Sequence, residues 1–234
     1  MKVFITCEHG GNKIPKEFRY LFKDERDILQ THRAFDPGAL ELAKAISKRG
    51  YYFTFSEISR LFVELNRSIH NPALFSGFTK NLSPGKKEEI LVDYYFPFRN
   101  KVETSIRELI SKKIKVIHIS VHTFTPILNN KIRNTDIGIL YDPKRKREKN
   151  FAVLFKNKLK SFNKKIKTRF NYPYLGIADG FTSYLRKKFP REFYIGIELE
   201  VNQKLFLNHK HEWRELKQDL NFTLDSILRE KVKF

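Results

Sequence analysis

Segments with strand character alternate with segments of helical character along most of the chain, and this order limits the fold more than any other feature. The strand-like segments, rich in β-branched and aromatic residues, are 2–7, 51–58, 115–124, 135–142, 165–170 and 194–201, with a further candidate at 60–65. Amphipathic or capped segments predict helices at 36–50, 97–113, 146–162 and 209–231. The alternation predicts a single domain over residues 1–234, built as a three-layer α/β/α sandwich around a mostly parallel mixed sheet.

Ionisable side chains lie at or near the ends of three predicted strands. His9 follows the first strand, His122 lies near the end of 115–124, and Glu198 and Glu200 lie on the last strand. In open α/β sheets, ligands bind beyond the carboxyl ends of the strands. We therefore expect these side chains to meet at one edge of the sheet, where they would form a functional site.

The composition is that of a globular protein with a substantial core. Of the 234 residues 41% are hydrophobic, and no apolar run approaches the roughly 20 residues of a membrane span. The single cysteine, Cys7, lies inside the first strand and is interpreted as a small buried residue. One cysteine excludes an internal disulfide and a zinc site of several thiolates. Together with the lack of a secretion-signal pattern, this predicts a cytoplasmic location.

The formal net charge is +20, and the basic segment KRKREK lies at 144–149. Such an excess would suit a polyanion such as nucleic acid, or an anionic membrane surface. Lysines dominate the excess, however, and no nucleic-acid-binding motif with interleaved aromatic residues is present. A solvated, lysine-rich surface is therefore the favoured interpretation, and nucleic acid is not an expected partner.

His9, Asp36 and His122 are candidate ligands of a catalytic metal ion. A mononuclear zinc hydrolase needs three protein ligands, often histidine and carboxylate, beside an open position. His122 sits where its strand runs out, which favours a ligand, whereas His118 deeper in the strand is interpreted as a hydrogen-bonded core residue. On spacing alone, Asp36 is the N-cap of the first predicted helix, so Glu8 competes with it for the carboxylate position.

Two carboxylates and an Asn-Arg pair complete the candidate site. Glu198 and Glu200 share one face of an otherwise apolar strand, where an unpaired carboxylate is costly. A desolvated glutamate suits a general base, because burial raises its pKa toward neutrality. Asn66 and Arg67 follow a buried run; the arginine could bind a substrate carboxylate, and a surface ion pair with Glu64 is an equal alternative.

Seven stretches of the sequence, taken in order, resemble one known family. They are CEHGGNKIP, THRAFDPGALELA, SRLFVELNRS, HISVHTFTP, RNTDIGILYDP, NYPYLGIADGFTSYLRKKFP and YIGIELEVNQ. Together they make the chain similar to the N-formylglutamate amidohydrolase-like proteins over essentially its whole length. The resemblance implies a phosphorylase/hydrolase-like fold, shared with zinc carboxypeptidases, aspartoacylases and zinc-dependent N-acetylmuramoyl-L-alanine amidases.

The resemblance also implies a set of metal ligands. The related amidases carry a Gly-His-Gly-Gly turn after the first strand, then a carboxylate ligand, then a histidine after a later strand. By that analogy the metal is zinc, or another divalent ion, held by His9, Asp36 and His122. Glu8 then becomes a supporting or turn residue. The late Glu-Val-Asn segment is similar to the family's Glu-Ile-Asn, which implies that Glu200 is the catalytic base.

Further residues of the resemblance concern the substrate. Aspartoacylases grip the substrate carboxylate with an Asp-Leu-Asn-Arg segment, which here reads Glu-Leu-Asn-Arg and ends at Arg67. It implies that Arg67 contributes to catalysis and, with Asn66, to substrate binding. Arg133 and Asn202 are additional substrate-binding candidates. The next family arginine is Gln203 here, which argues against strict N-formylglutamate specificity.

We therefore expect a metal-dependent amidohydrolase that cleaves the amide C–N bond of a small N-acyl amino acid, N-formyl included. Zinc would act as the Lewis acid and a glutamate as the general base. The alternatives are a metallo-peptidase or cell-wall-type amidase, and a catalytically inactive basic nucleic-acid-binding protein on the same fold.

Overall fold

The computed structural model describes residues 1–48 and 50–230. Its main-sheet strands are β1 (Lys2–Cys7), β2 (Tyr52–Phe55), β3 (Val116–Phe124), β6 (Ile137–Leu140), β7 (Thr168–Phe170) and β8 (Tyr194–Asn202). A separate hairpin pairs β4 (Ile127–Leu128) with β5 (Lys131–Ile132). The order in the main sheet is β2-β1-β3-β8-β6-β7, and only the β6–β8 pair is antiparallel. The predicted mostly parallel mixed sheet is therefore confirmed.

Helices cover both faces of the sheet. They are α1 (Ala39–Ile46), α2 (Pro84–Ile90), α3 (Phe96–Ser111), α4 (Lys146–Phe162), α5 (Phe181–Lys188), α6 (Gln203–Asn208) and α7 (Lys210–Arg229). Two 3-10 helices lie at Lys16–Phe22 and Arg26–Gln30, and the π-helical turn Leu91–Tyr95 joins α2 to α3. Within the described ranges, no helix is both long and apolar enough to cross a membrane.

The sheet separates two hydrophobic cores. Side chains of α1, α4 and α7 pack against one face, whereas those of α3, α5 and the first 3-10 helix pack against the other. Successive residues of a strand point to opposite faces. Ile195 and Ile197 of β8 therefore enter the first core, while Tyr194 faces the second, and Glu198 and Glu200 share the side of Tyr194. This arrangement is the predicted α/β/α sandwich.

The predicted strand at 60–65 is wrong. The backbone N–H groups of Phe62 and Val63 donate back to the carbonyl of Ser59, at 2.9 and 3.3 Å, so the segment forms turns and not a ladder. Its apolar side chains are nevertheless buried, because Phe62 and Leu65 enter the second core. A short apolar segment buried among helices therefore carries the composition of a strand without its pairing.

Helix boundaries also differ from the prediction. The predicted helix 36–50 begins only at Ala39 and ends at Ile46, with residue 49 lying outside the described residues. The predicted last helix corresponds to α7, and its residue 231 also lies outside them. The helices α2, α5 and α6 were not predicted. They are six to eight residues long, too short for a clear amphipathic pattern.

Candidate metal centre

The carboxyl ends of three adjacent parallel strands meet at one edge of the sheet. Glu8 and His9 follow β1 directly, and β3 carries His122 near its end. β3 and β8 pair in register, so that His122 lies beside Glu200. The structure thus brings together the side chains that the strand pattern placed at this edge.

Three buried side chains converge there and could hold a metal ion. The potential ligand atoms of His9, Asp36 and His122 all lie within 4.8 Å of one another. Asp36 Oδ2 is 3.3 Å from His9 Nδ1 and 3.0 Å from His122 Nδ1. A tetrahedral zinc ion with ligands at about 2.0 Å would hold neighbouring ligand atoms about 3.3 Å apart. Donor types and spacing therefore fit a divalent metal.

Asp36 reaches this position because it does not cap the helix. The N-cap of α1 is Gly38, in the left-handed region with φ +84°, and no side chain caps the helix. A Cβ at this glycine would lie 2.7 Å from the Phe206 ring, so the turn accepts no side chain. The predicted N-cap role of Asp36 is wrong. Its backbone N–H donates to the carbonyl of His9 at 3.0 Å, and its carboxylate points to the two histidines.

The two glycines after His9 allow a close approach of backbone. A Cβ at either Gly10 or Gly11 would lie 2.7 Å from a carbonyl oxygen of the segment that follows β2. Gly10 N–H also donates to the carbonyl of Ser56 at 3.0 Å. The glycine pair therefore fixes the turn of His9 against the neighbouring segment.

Each histidine has a second carboxylate on its other nitrogen. His9 Nε2 hydrogen-bonds with Glu64 Oε1, and His122 Nε2 lies 3.3 Å from Glu8 Oε2. Glu8 also accepts hydrogen bonds from the hydroxyls of Thr6 and Ser120, both at 2.7 Å. Such partners fix the orientation and tautomer of metal-binding histidines. Both imidazoles therefore present Nδ1 to the same point.

The charges of this cluster leave room for a divalent cation. Burial alone would raise the pKa of Glu8, but the hydrogen bond and charge of His122 lower it to about 2. The pKa of Asp36 and that of Glu64 are also lowered by their histidine neighbours, and for Glu64 by Arg60, against the effect of burial. Burial lowers the pKa of both candidate-ligand imidazoles, but the carboxylates beside them raise it overall. In the metal-free cluster the two protonated imidazoles and the guanidinium balance the three carboxylates, and a divalent ion would take the place of the two protons.

Arg60 is the cation of this cluster, and the sequence reasoning missed it. Its Nε donates to Glu64 Oε2 at 2.8 Å, and its Nη1 lies 3.4 Å from Asp36 Oδ1. Arg60 thereby contacts two carboxylates: that of Asp36, a candidate metal ligand, and that of Glu64, which orients His9. The four-residue spacing between Arg60 and Glu64 was the available signal, but it was hidden by the interpretation of 60–65 as a strand.

Glu200 is the one cluster carboxylate with an unused buried oxygen. Its Oε2 has no hydrogen-bond partner among the described residues. Burial raises the pKa of Glu200 to about 7; Asp36 and Glu198 add to the rise, and His122 opposes it. Its neighbour Glu198 instead accepts a hydrogen bond from the hydroxyl of Thr182. Glu200 can therefore accept or release a proton near neutral pH.

These groups line a cavity of about 180 Å³. Its walls are formed by His9, Asp36, Arg60, Asn66, Arg67, His122, Thr123, Tyr174, Leu175, Ala178, Asp179, Glu198 and Glu200. Arg67 makes no ion pair with a carboxylate in the described ranges; its Nη1 donates to the backbone carbonyl of Asp179. The alternative of an ion pair with Glu64 is therefore wrong.

Not every predicted site residue reaches the cavity. Asn66 lines it, but its Oδ1 accepts the backbone N–H of Phe181 at 2.7 Å. Asn202 does not line it: its Nδ2 donates to the carbonyls of Arg133 and Thr135, at 2.8 and 2.9 Å, and its Oδ1 caps α6. The sequence alone could not show that this amide is fully used inside the protein.

The other two substrate-related positions are also removed from the cavity wall. The Arg133 guanidinium packs 5.4 Å from the ring centroid of Tyr174, which does line the cavity. Gln203 is buried and donates to Thr123 Oγ1 at 3.1 Å. The structure therefore places Arg133 against a lining residue and not in the cavity wall, and Gln203 holds the end of β3.

The interpretations of His118 and Cys7 as core residues are confirmed. His118 is fully buried between Thr6 Oγ1 at 2.8 Å and Tyr194 Oη at 2.7 Å. Burial lowers its pKa to about 4. Cys7 is fully buried in β1, and burial raises the pKa of its thiol. Neither side chain lines the cavity.

Known proteins share this architecture. The sequence model of the family described as N-formylglutamate amidohydrolase matches residues 1–207. A gene product from Agrobacterium tumefaciens superposes with a TM-score of 0.79 at 24% identity, over 97% of this chain and 92% of the other. An N-formylglutamate amidohydrolase from Ralstonia eutropha superposes with a TM-score of 0.69 at 17% identity, over 97% and 94%. At these identities the two structures show a common fold. A comparison with curated proteins found no match.

Proposed function

The chain belongs to the N-formylglutamate amidohydrolase family, and we propose that it is a metal-dependent hydrolase of the amide bond in small N-acyl amino acids. One observation carries the proposal. Two histidines and an aspartate with metal-ligand spacing share a cavity with a buried glutamate that has an unused oxygen. This is the minimum set for hydrolysis at a metal with an acid–base partner.

The proposed ligands are His9, Asp36 and His122. Two imidazoles and one carboxylate are the donors of catalytic zinc sites that keep an open position, although other divalent ions suit the same ligands. When bound there, the metal supplies a Lewis acid that polarises the amide carbonyl and lowers the pKa of water. Glu8 and Glu64 keep the two imidazoles in the orientation that this requires.

Glu200 is the proposed general base. Its free oxygen accepts a proton from the attacking water and then delivers it to the nitrogen of the departing amine. A pKa raised to about 7 suits both steps near neutral pH. Because Glu198 is engaged by Thr182, the second carboxylate of the strand is the poorer candidate for this role.

Arg67 is the proposed anchor for the substrate carboxylate. It lines the cavity and has no carboxylate partner within the described part of the chain, whereas Arg60 is paired twice. A guanidinium that binds a carboxylate by two parallel hydrogen bonds fixes both position and orientation. The cavity volume of about 180 Å³ favours a small amide over the polymeric substrate of a peptidase or cell-wall-type amidase.

Metal removal and reloading test the proposal. The purified chain should hold about one divalent ion per molecule at a site of this kind. Hydrolysis of N-formyl and N-acetyl amino acids should vanish after chelation and return with zinc. Hydrolysis that survives metal removal contradicts the metal role. A zinc-loaded chain that hydrolyses none of these substrates contradicts the activity.

Two substrates, one with and one without a carboxylate, test the proposed role of Arg67 separately. Arg67→Met should raise the KM for an N-acetyl amino acid by about 10- to 100-fold, through loss of a charge-assisted contact. The same variant should hydrolyse the corresponding amino-acid amide, which lacks the carboxylate, as the parent does. The control is Arg33→Met, since Arg33 is exposed and does not line the cavity. An equal effect on both substrates would contradict the assignment.

A further inference from the structure

We propose that a second cavity, at the start of α4, binds the phosphate group of a small molecule. This cavity, called the arginine cavity below, has a volume of about 250 Å³. Tyr194, the first residue of β8, lines it, and Glu200 lies six residues further along the same strand. At about 3.3 Å per residue along β8, the two sites are about 20 Å apart, at opposite ends of the strand.

Cations dominate the lining of the arginine cavity. Its five cationic residues are Lys144, Arg145, Lys146, Arg147 and Arg191, and its two acidic ones are Glu148 and Glu192. Glu148 is already neutralised, because Arg186 Nε donates to both of its oxygens at 3.0 Å. The basic segment 144–149 therefore does more than form a solvated surface, since part of it encloses a cavity with surplus positive charge.

Two guanidinium groups in the lining carry buried nitrogens without acceptors. Arg145 is only 9% exposed, and its Nη2 donates to the carbonyl of Arg186. Its Nη1 has no hydrogen-bond partner among the described residues, and lies 3.9 Å from Glu148 Oε1. Arg147 Nε is also buried without an acceptor in that part of the chain. A buried donor without a partner is destabilising, so oxygen atoms of a ligand that accept hydrogen bonds would satisfy both groups.

The N-terminus of α4 points to the same kind of ligand. This helix has 17 residues and begins at Lys146, and no side chain caps it. The free N–H groups and the dipole of a helix N-terminus attract anions. The acidic residue of its first turn, Glu148, is turned away, since it accepts hydrogen bonds from Arg186 and from the backbone N–H of Asp142 and Gly196.

A phosphate group on a small molecule is the ligand that suits these features. Several forked guanidinium donors match an anion with several oxygens better than they match a single carboxylate. A nucleic-acid backbone needs an open basic stripe, whereas Arg145 is nine-tenths buried. The volume of about 250 Å³ is enough for a phosphate and a small organic part.

Calorimetric titration of the full chain with inorganic phosphate and with glycerol phosphate tests the proposal, at constant ionic strength with chloride as reference. Arg147→Gln is the main variant, because the contact of Arg145 with the Arg186 carbonyl is buried, whereas Arg147 donates to a backbone carbonyl at an exposed position. Lys149→Gln removes the same charge from an exposed position of the same helix that does not line the cavity. We expect both ligands to bind the parent, Arg147→Gln to weaken binding at least about tenfold, and Lys149→Gln to leave it unchanged.

Three outcomes would overturn the proposal. The first is no heat of binding with either phosphate at millimolar concentration. The second is an equal loss in the two glutamine variants, which would indicate a non-specific effect of net charge. The third is a duplex DNA that binds more tightly than both phosphates, with a steep salt dependence and sensitivity to Arg147→Gln. None of these measurements depends on the amide hydrolysis proposed for the metal centre.

Discussion

Two clusters of charged side chains lie at opposite ends of the sheet, one rich in carboxylates and the other rich in cations. At the candidate metal centre, carboxylates outnumber the one guanidinium of Arg60, and Glu200 keeps a buried oxygen without a partner among the described residues. At the start of α4, guanidinium groups outnumber the carboxylate of Glu148, and Arg145 keeps a nitrogen for which the described part of the chain offers no acceptor. Because a buried polar atom without a partner is costly, the oxygen of Glu200 indicates a ligand that donates a hydrogen bond, and the nitrogen of Arg145 indicates one that accepts.

The clusters also differ in how completely their pairs are satisfied. The Arg186–Glu148 pair is closed, with two hydrogen bonds from Nε and further backbone donors to the carboxylate. The hydrogen bonds of this pair are made within the protein, so removal of either side chain should lower the stability of the fold and leave turnover unchanged. Glu200 is the opposite case, because one of its buried oxygens makes no hydrogen bond within the described ranges. Four variants, taken in order of expected effect, test this difference.

The largest effect is expected from His9→Ala combined with His122→Ala. Loss of two of the three proposed ligands should abolish metal binding and lower kcat/KM by at least about a thousandfold, since Lewis-acid assistance supplies several kcal/mol. Metal content per chain and initial rates of hydrolysis are the measurements. A double variant with parental rates would remove the metal from the mechanism.

Arg186→Met should have the largest effect on stability. It leaves Glu148 buried without its cation, which costs about 3–5 kcal/mol of unfolding free energy. Denaturant unfolding measures the loss. The matched control is Arg107→Met, because the Arg107–Glu103 pair is exposed on the arginine side and should contribute less than about 1 kcal/mol. Similar losses of unfolding free energy in the two variants would show that the Arg186–Glu148 pair stabilises the protein no more than a surface ion pair does.

Glu200→Gln should lower turnover by about 10²–10⁴-fold while the metal remains bound. It should also change the pH dependence of stability in the metal-free protein. The pKa of Glu200 is about 7 in the folded state, against an ordinary value of 4.5, so the folded state holds its proton more tightly. Stability from this group is present below pH 4.5 and is lost as the pH rises to about 7, a loss of about 3 kcal/mol.

Denaturant unfolding of both proteins between pH 5 and pH 8 separates these roles. The parent should lose stability relative to Glu200→Gln over this range, and the variant should be the more stable of the two at pH 8. A parent that gains stability relative to the variant as the pH rises would mean that Glu200 has a partner that holds it ionised.

The smallest of the four effects is expected from Glu8→Gln. An amide can still contact His122 but supports the metal-binding imidazole less well, so metal affinity should fall by about 10- to 100-fold. Competition with a metal-sensitive chelator measures the affinity. Unchanged affinity, with the fold intact by circular dichroism, would reduce Glu8 to a purely structural residue.

Much of the fold was predictable because its signals are local. The alternation of strand and helix patterns reflects hydrogen bonding and burial within short segments, and it led to the α/β/α sandwich with its mixed sheet. The one predicted strand that the structure does not contain, 60–65, shows the limit of such signals. The apolar composition there is correct for burial, but pairing depends on neighbours that composition does not specify.

The candidate site was predictable in part for the same reason. His9, His122 and Glu200 stand at strand ends, where the sequence alone places them at one edge of a parallel sheet. The spacing of Asp36 favours assignment as a helix N-cap, and only the resemblance to known proteins made it a candidate metal ligand. The turn at Gly38, with φ +84°, sends its side chain to the histidines instead.

The sequence by itself determined the layers of this protein, the residues that share one face of a strand and the family to which it belongs. Only the tertiary structure decided which carboxylate meets which histidine: Glu64 lies 55 residues from His9, and Asp36 lies 86 residues from His122. It also decided that Asn202 is used internally and that Arg145 is buried. Periodicity records which face of an element is buried, whereas a side chain's partner depends on packing between segments distant in sequence.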